Sequence, residues 1–164
     1  MRKYIITPAL LAIVCMVMCH CTFNRKASVA ANEYLIQGEL ANLPDSIVIG
    51  LYEEDGNILN CVLRDTLMNG QFSFRDTVST TRKMLIMSDN RGFPGTWLEV
   101  WIAPGEYIEI KGQDKLVKTW EVVSDVPEQQ EENRFMACAM APQKELMQYR
   151  AIFWGSYYLD LEGK

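Results

Sequence analysis

The chain has 164 residues, 49% of them apolar and 23% charged, with a net charge of −5. That is enough for one domain with a core plus appendages. Removing a leader that contains Arg2 and Lys3 takes 16 basic side chains to 14 against 21 acidic, a net charge of −7. So acidic a chain, with no basic stripe interleaved with aromatics, lacks the electrostatic footprint of nucleic-acid binding.

The N-terminus reads MRKYIITPALLAIVCMVMCHC. Two basic residues precede an apolar run from Ile5 to Met18, which Pro8 interrupts. The run is shorter than the roughly 20 residues a membrane-spanning helix needs, and its order predicts a secretory signal over residues 1–21 rather than a buried core helix. Cys15 falls inside the apolar run. Cys21 is the expected lipidated cysteine and Cys19 the alternative, although His20 and Met18 before them are not small. Ordinary cleavage near ASVAAN, where Ser28 and Ala30 are small, would give a secreted chain instead. His20 between Cys19 and Cys21 offers two thiolates and one imidazole with no fourth ligand nearby, so no metal is expected there. Together these features place the chain in the cell envelope as a periplasm-facing or outer-membrane lipoprotein, in contact with membrane through its N-terminal lipid.

Residues 22–32 are small and polar and read as a tether. Short strands with turn signals follow across 33–125. Tyr34–Leu40 is the first, and ANLPDS turns the chain into Ser46–Tyr52, where Ile47, Ile49 and Leu51 share a face. Asp55-Gly56 reads as a hairpin turn pair leading into Ile58–Met68. Asn69-Gly70 repeats the device, so RDTLMNGQFSF reads as a second hairpin, with Phe72 and Phe74 inward and Ser73 and Arg75 outward on Gln71–Asp76. Lys83–Ser88, Trp97–Ala103, Glu106–Lys111 and Lys118–Val123 continue the series, and Pro104-Gly105 suits a type II turn. About eight short strands, mostly hairpin-linked, predict a mainly β domain: an antiparallel β-sandwich or open barrel.

The texture changes near residue 126. PEQQEENRFMACAMAPQKELMQYRAIFW predicts a C-terminal helical segment over 126–164, with Ser124 or Asp125 as cap and Pro127 in the first turn. Phe135, Ala139, Pro142, Leu146, Tyr149 and Phe153 form a stripe at helical spacing, which must pack on the sandwich or face a partner. Pro142 is expected to break or kink the helix.

YLIQGEL, SIVIGLYEEDGN, RDTLMNGQFSF, WIAPGEYIEIKG and EENRF, in that order, resemble the domain of unknown function that lies ahead of thioredoxin-like disulfide reductases in exported lipoproteins of Gram-negative gut anaerobes. The resemblance runs from Tyr34 to about Phe135. The family pattern has Asp-Ser-Thr before the Asn-Gly turn, whereas this chain has Arg64, Asp65 and Thr66. The resemblance implies a relative truncated before its redox domain, the helical segment being the linker to the missing part. Disulfide reduction does not carry over, because the sequence holds no C-x-x-C.

The remaining candidates for chemistry are thin. Cys61 and Cys138 could pair if their Cα atoms lay within about 7 Å; two separate, mostly buried thiols are the plainer expectation. Trp97 and Trp101, four apart in a strand, share a face; exposed they would stack on glycan rings, buried they would fill the sandwich. Asp76, Asp89 and Asn90 lack the oxygen spacing of a calcium loop. Glu99 and Glu109 are expected to face solvent rather than form a glycosidase pair. Ser73 and Ser88 have no histidine partner, since His20 in the leader is the only one. No catalytic group and no cofactor is expected. The reading is a non-catalytic envelope module with a protein partner at the C-terminal helix. Its rival is the accessory domain of a truncated thiol-disulfide oxidoreductase.

Overall fold

A computed structural model describes residues 28–162. The leader, Cys19, Cys21 and the first part of the tether lie outside the described residues. The last residues of the tether are tied to the domain. Ala31 and Asn32 form a turn closed by the Glu33 amide on the Ala30 carbonyl at 2.9 Å, and the Asn32 carbonyl accepts the Val78 amide at 2.8 Å.

Eight strands follow: β1 Glu33–Leu40, β2 Val48–Asp55, β3 Ile58–Thr66, β4 Gln71–Thr77, β5 Arg82–Met87, β6 Leu98–Ile102, β7 Tyr107–Gly112 and β8 Glu121–Val123. A 3-10 turn at Val117–Thr119 takes the place of the start of the expected last strand, and helix α1 spans Pro127–Glu162. The strands form two four-stranded sheets, ordered β4-β1-β7-β8 and β3-β2-β5-β6, and the fold is mainly β and sandwich-like, not a closed barrel. Five pairings are antiparallel; β1 and β7 run parallel, with Ile36 beside Ile108 and Gly38 beside Ile110.

The core lies between the sheets and follows the period-2 alternation of the strands. Tyr34, Ile36 and Leu40 of β1, Phe72 and Phe74 of β4, and Ile108 and Ile110 of β7 meet Ile49 and Leu51 of β2, Met84 and Ile86 of β5, and Val100 and Ile102 of β6, all buried. Burying each such side chain contributes about 1.5–3 kcal/mol. The Phe72 and Phe74 rings lie 5.4 Å apart and tilted, an arrangement aromatic pairs favour.

Two turns differ from the sequence expectation in an instructive way. The β2–β3 hairpin turns on Gly56 and Asn57, with Asp55 paired to Ile58, so the turn lies one residue further along than Asp55-Gly56. Only Gly56 has positive φ, at 62°, which is the pattern of a II′ turn. Asn69 and Gly70 both have positive φ, 52° and 74°, as a I′ turn requires. Yet this turn is a corner and not a hairpin. Met68 and Gln71 exchange two 3.0 Å bonds, and there the pairing stops. β3 pairs with β2 in one sheet, whereas β4 pairs with β1 in the other. Neighbouring backbone holds the corner: Leu67 bonds Ile47 and Ser46, and the Gly70 carbonyl accepts the Leu40 amide at 2.7 Å.

Candidate functional site

The start of α1 lies against an outer strand of each sheet. Ser124 Oγ accepts the Val126 amide at 3.1 Å, ahead of Pro127 in the first turn. Gln129 is 1% exposed. Its Oε1 accepts the backbone amide of Trp101 on β6 at 2.8 Å, and its Nε2 donates to Asn133 Oδ1 at 3.0 Å. Asn133 Nδ2 donates in turn to the Val122 carbonyl on β8 at 2.8 Å. β6 and β8 are the outer strands of different sheets. Two amide side chains one helical turn apart therefore occupy edge groups of both sheets and fix the helix across them.

Beside this clamp runs an open groove of about 560 Å³. Trp97 and Glu99 line it from β6 and the residue before it, Trp120 and Val122 from β8 and the residue before it, and Met136 and Met140 from α1. Trp120 is held firmly: it is 3% exposed, and its Nε1 donates to the Asp114 carbonyl at 2.9 Å. A Cβ on Gly112 would come within 2.4 Å of the Trp120 ring, so glycine there leaves the indole its place. Glu99, Glu121 and Glu132 border the groove against the lone Lys118. Its floor suits an apolar or aromatic surface, and its rim is acidic.

Trp97 and Trp101 do not fill the sandwich. Leu98, Val100 and Ile102 take the inward positions, leaving Trp97, Glu99 and Trp101 on the outer face of that sheet, both indoles half-buried. Trp97 lines the groove; Trp101 does not, and its buried Nε1 has no hydrogen-bond partner. The other candidates are dispersed. Glu99 pairs with Lys83 at 3.6 Å and Glu109 with Lys111 at 3.0 Å, in different sheets. Asp89 Oδ2 accepts from the Tyr52 hydroxyl at 2.9 Å, Asn90 Oδ1 accepts the Val48 amide at 2.9 Å, and Asp76 Oδ1 accepts the Thr77 amide at 2.7 Å. Ser88 Oγ donates to the Val48 carbonyl at 2.7 Å. Among the described residues no three His, Cys, Asp or Glu side chains converge as metal ligands. Cys61 and Cys138 are free, and both are exposed rather than buried. Cys61 lies on the outer strand β3, where its Sγ accepts from Arg64 Nε at 3.1 Å; Cys138 lies on a solvent-facing side of α1.

The helix runs through Pro142 without a break. Its inner face is Gln129, Glu132, Met136, Met140, Gln143 and Met147, buried or half-buried at intervals of three and four. Of the two expectations for the stripe, facing outward is the one seen at its large members: Phe135 is 68% exposed, Leu146 53% and Tyr149 65%, with Ile152 at 67% beside them, while Ala139 is half-buried. The hydrogen bonds of Gln129 and Asn133 and the burial of Met147 hold the inner face, so the aromatic side is left to solvent. Among the described residues no helix is long and apolar enough to cross a membrane.

No protein-family model matches this chain, and no curated protein or solved structure matches it.

Proposed function

We propose that this chain is a non-catalytic module of the cell envelope, tethered to membrane by lipid at Cys21 or, failing that, Cys19, whose C-terminal helix docks a protein partner. The observation that carries the reading is the outward stripe of α1. Large apolar side chains left exposed along one side of a helix, at Phe135 and from Leu146 to Phe153, are the form of a helix-in-groove contact. The resemblance to the domain ahead of thioredoxin-like reductases agrees with a domain-organising role. The ionisable groups of the β-domain support the same view, because they cap turns or form dispersed surface pairs.

The test is Leu146→Lys with Tyr149→Lys in the full chain. Both positions are exposed, so the unfolding midpoint of the purified protein stays put. The complex formed in gently solubilised envelopes and resolved by native electrophoresis is lost. A complex that survives the double substitution rejects the docking role of α1.

A further inference from the structure

We infer that the outer strand β3 docks an extended segment of a partner protein, which adds to that sheet as an antiparallel strand. The site is separate from α1, which attaches at the opposite edge of the same sheet. Each sheet has two outer strands, and on β4, β6 and β8 a side chain occupies an edge group. Asp65 Oδ2 accepts the Ser73 amide of β4 at 2.7 Å, Gln129 Oε1 accepts the Trp101 amide of β6 at 2.8 Å, and Asn133 Nδ2 donates to the Val122 carbonyl of β8 at 2.8 Å. The start of β3 is left open. Asp55 and Ile58 close a two-residue turn, so they exchange hydrogen bonds, and bonded and non-bonded pairs alternate from there. Asn60 therefore bonds Glu53, whereas Leu59 and Cys61, opposite Glu54 and Tyr52, turn their amides and carbonyls away from β2. None of those amides and carbonyls has a partner among the described residues.

The stretch Ile58–Leu63 reads ILNCVL, without the lysine or proline that blunts an edge, and both Ile58 and Leu59 are exposed. Val62 has no partner on β2, and the regular edge ends at that irregularity. Main-chain donors and acceptors two residues apart on an uncharged strand select an extended polypeptide, because its own backbone is their complement. Antiparallel addition is the more stable ladder per residue. Charge at the two ends sets the composition. Arg64 is exposed, with Nε on Cys61 Sγ, and forms no ion pair with a described residue. Neighbouring Asp65 is occupied, its oxygens accepting the Thr66 and Ser73 amides. At the turn, Glu54 and Asp55 are exposed. The segment that fits starts with an acidic residue beside Arg64, sets apolar residues opposite Cys61 and Leu59, and ends on a basic residue beside the turn.

The experiment is fluorescence anisotropy of the full chain, purified in mild detergent, with the labelled synthetic peptide ETVTVK, whose valines lie opposite Cys61 and Leu59. Saturable binding is expected. The reversed-charge peptide KTVTVE binds about fivefold more weakly. Methylating the backbone nitrogens of both valines, which face β3, weakens binding by about tenfold or more. Leu59→Pro removes an outward N–H and no bond to β2, so the fold stands and binding falls to the same extent. Leu59→Ala keeps the N–H and holds affinity within about threefold. Should Leu59→Pro fail to fold, the methylated peptide decides alone, since it leaves the protein unchanged. No binding at millimolar peptide, or equal binding of the methylated and parent peptides, overturns strand addition at β3. Equal binding of ETVTVK and KTVTVE overturns the charge assignment. If the chain without peptide forms a dimer that Leu59→Pro abolishes, a second copy holds the edge and the separate partner is overturned.

Discussion

The backbone amide of Trp101 donates to Gln129 Oε1 at 2.8 Å, so an outer strand of one sheet ends on a helix side chain rather than on water or another strand. The same side chain passes the link through Asn133 to the carbonyl of Val122 on the other sheet. Gln129→Ala strands a buried amide and unpins the helix. We expect a loss of about 1–3 kcal/mol in urea unfolding. Asn133→Ala costs less, and the double substitution falls short of the sum because the two share one network. Additive losses would mean that the two amides act independently.

The corner at Asn69-Gly70 sets two successive residues at positive φ. Gly70 sits at φ 74°, and a Cβ there would lie 2.9 Å from the Leu40 carbonyl oxygen. Gly70→Ala therefore meets both a left-handed backbone penalty and a contact with immovable main chain, together about 2–3 kcal/mol. Asn69→Ala meets only the first, at about 1 kcal/mol. Thermal unfolding of the two variants ranks them; equal losses would contradict the contact with Leu40.

Alkaline pH probes the tyrosines. Burial pushes both Tyr34 and Tyr52 up to about 12; the Asp76 charge adds to the effect at Tyr34, and the hydrogen bond to Asp89 adds to it at Tyr52. A raised phenol keeps its proton in the folded state, so its contribution is complete below pH 10 and is lost as pH climbs from 10 to 12. Stability measured by urea unfolding should be flat through neutral pH and fall across that window. Tyr34→Phe removes a buried hydroxyl that has no partner, so it should cost little at pH 7 and flatten the alkaline fall. Tyr52→Phe costs about 1 kcal/mol at pH 7 through the lost bond to Asp89. An alkaline fall unchanged in both variants would place its origin elsewhere.

Two tryptophans contrast in the same way. Trp120→Phe loses the bond from Nε1 to the Asp114 carbonyl, whereas Trp101→Phe removes a buried N–H without a partner. Trp120→Phe should be the more destabilising by about 1–2 kcal/mol. The reverse order in denaturant midpoints would refute the assignment of the two indoles.

Most of the β-domain is legible from residue alternation. Ile47, Ile49 and Leu51, or Phe72 and Phe74, announce their faces because a strand alternates strictly, and Asn69-Gly70 announces its turn because few residues tolerate two positive φ angles. What the local pattern does not carry is which strands meet. Nothing near Asn69 says that β3 and β4 part into different sheets, or that β1 pairs in parallel with β7, since both depend on contacts distant in sequence. The groove and its clamp were hidden for the same reason. Gln129 and Asn133 sit in a run of Glu, Gln and Asn that reads as solvated helix, and only their i,i+4 spacing hints at an amide pair. The stripe on α1 is legible at helical spacing, but the side it faces is not: an apolar face is ordinarily buried, and here two amides and Met147 hold the helix in its stead. The size of Trp97 and Trp101 points to burial, but their place on the strand lies out of step with Leu98, Val100 and Ile102.

Photo-crosslinking in living cells tests the outward helix as a docking face most directly. With a photoreactive residue at Tyr149 or, as control, at exposed Gln148 off the stripe, illumination should give a discrete higher-mass adduct from position 149 and none from 148. A blank at 149, or equal adducts at both positions, would contradict it.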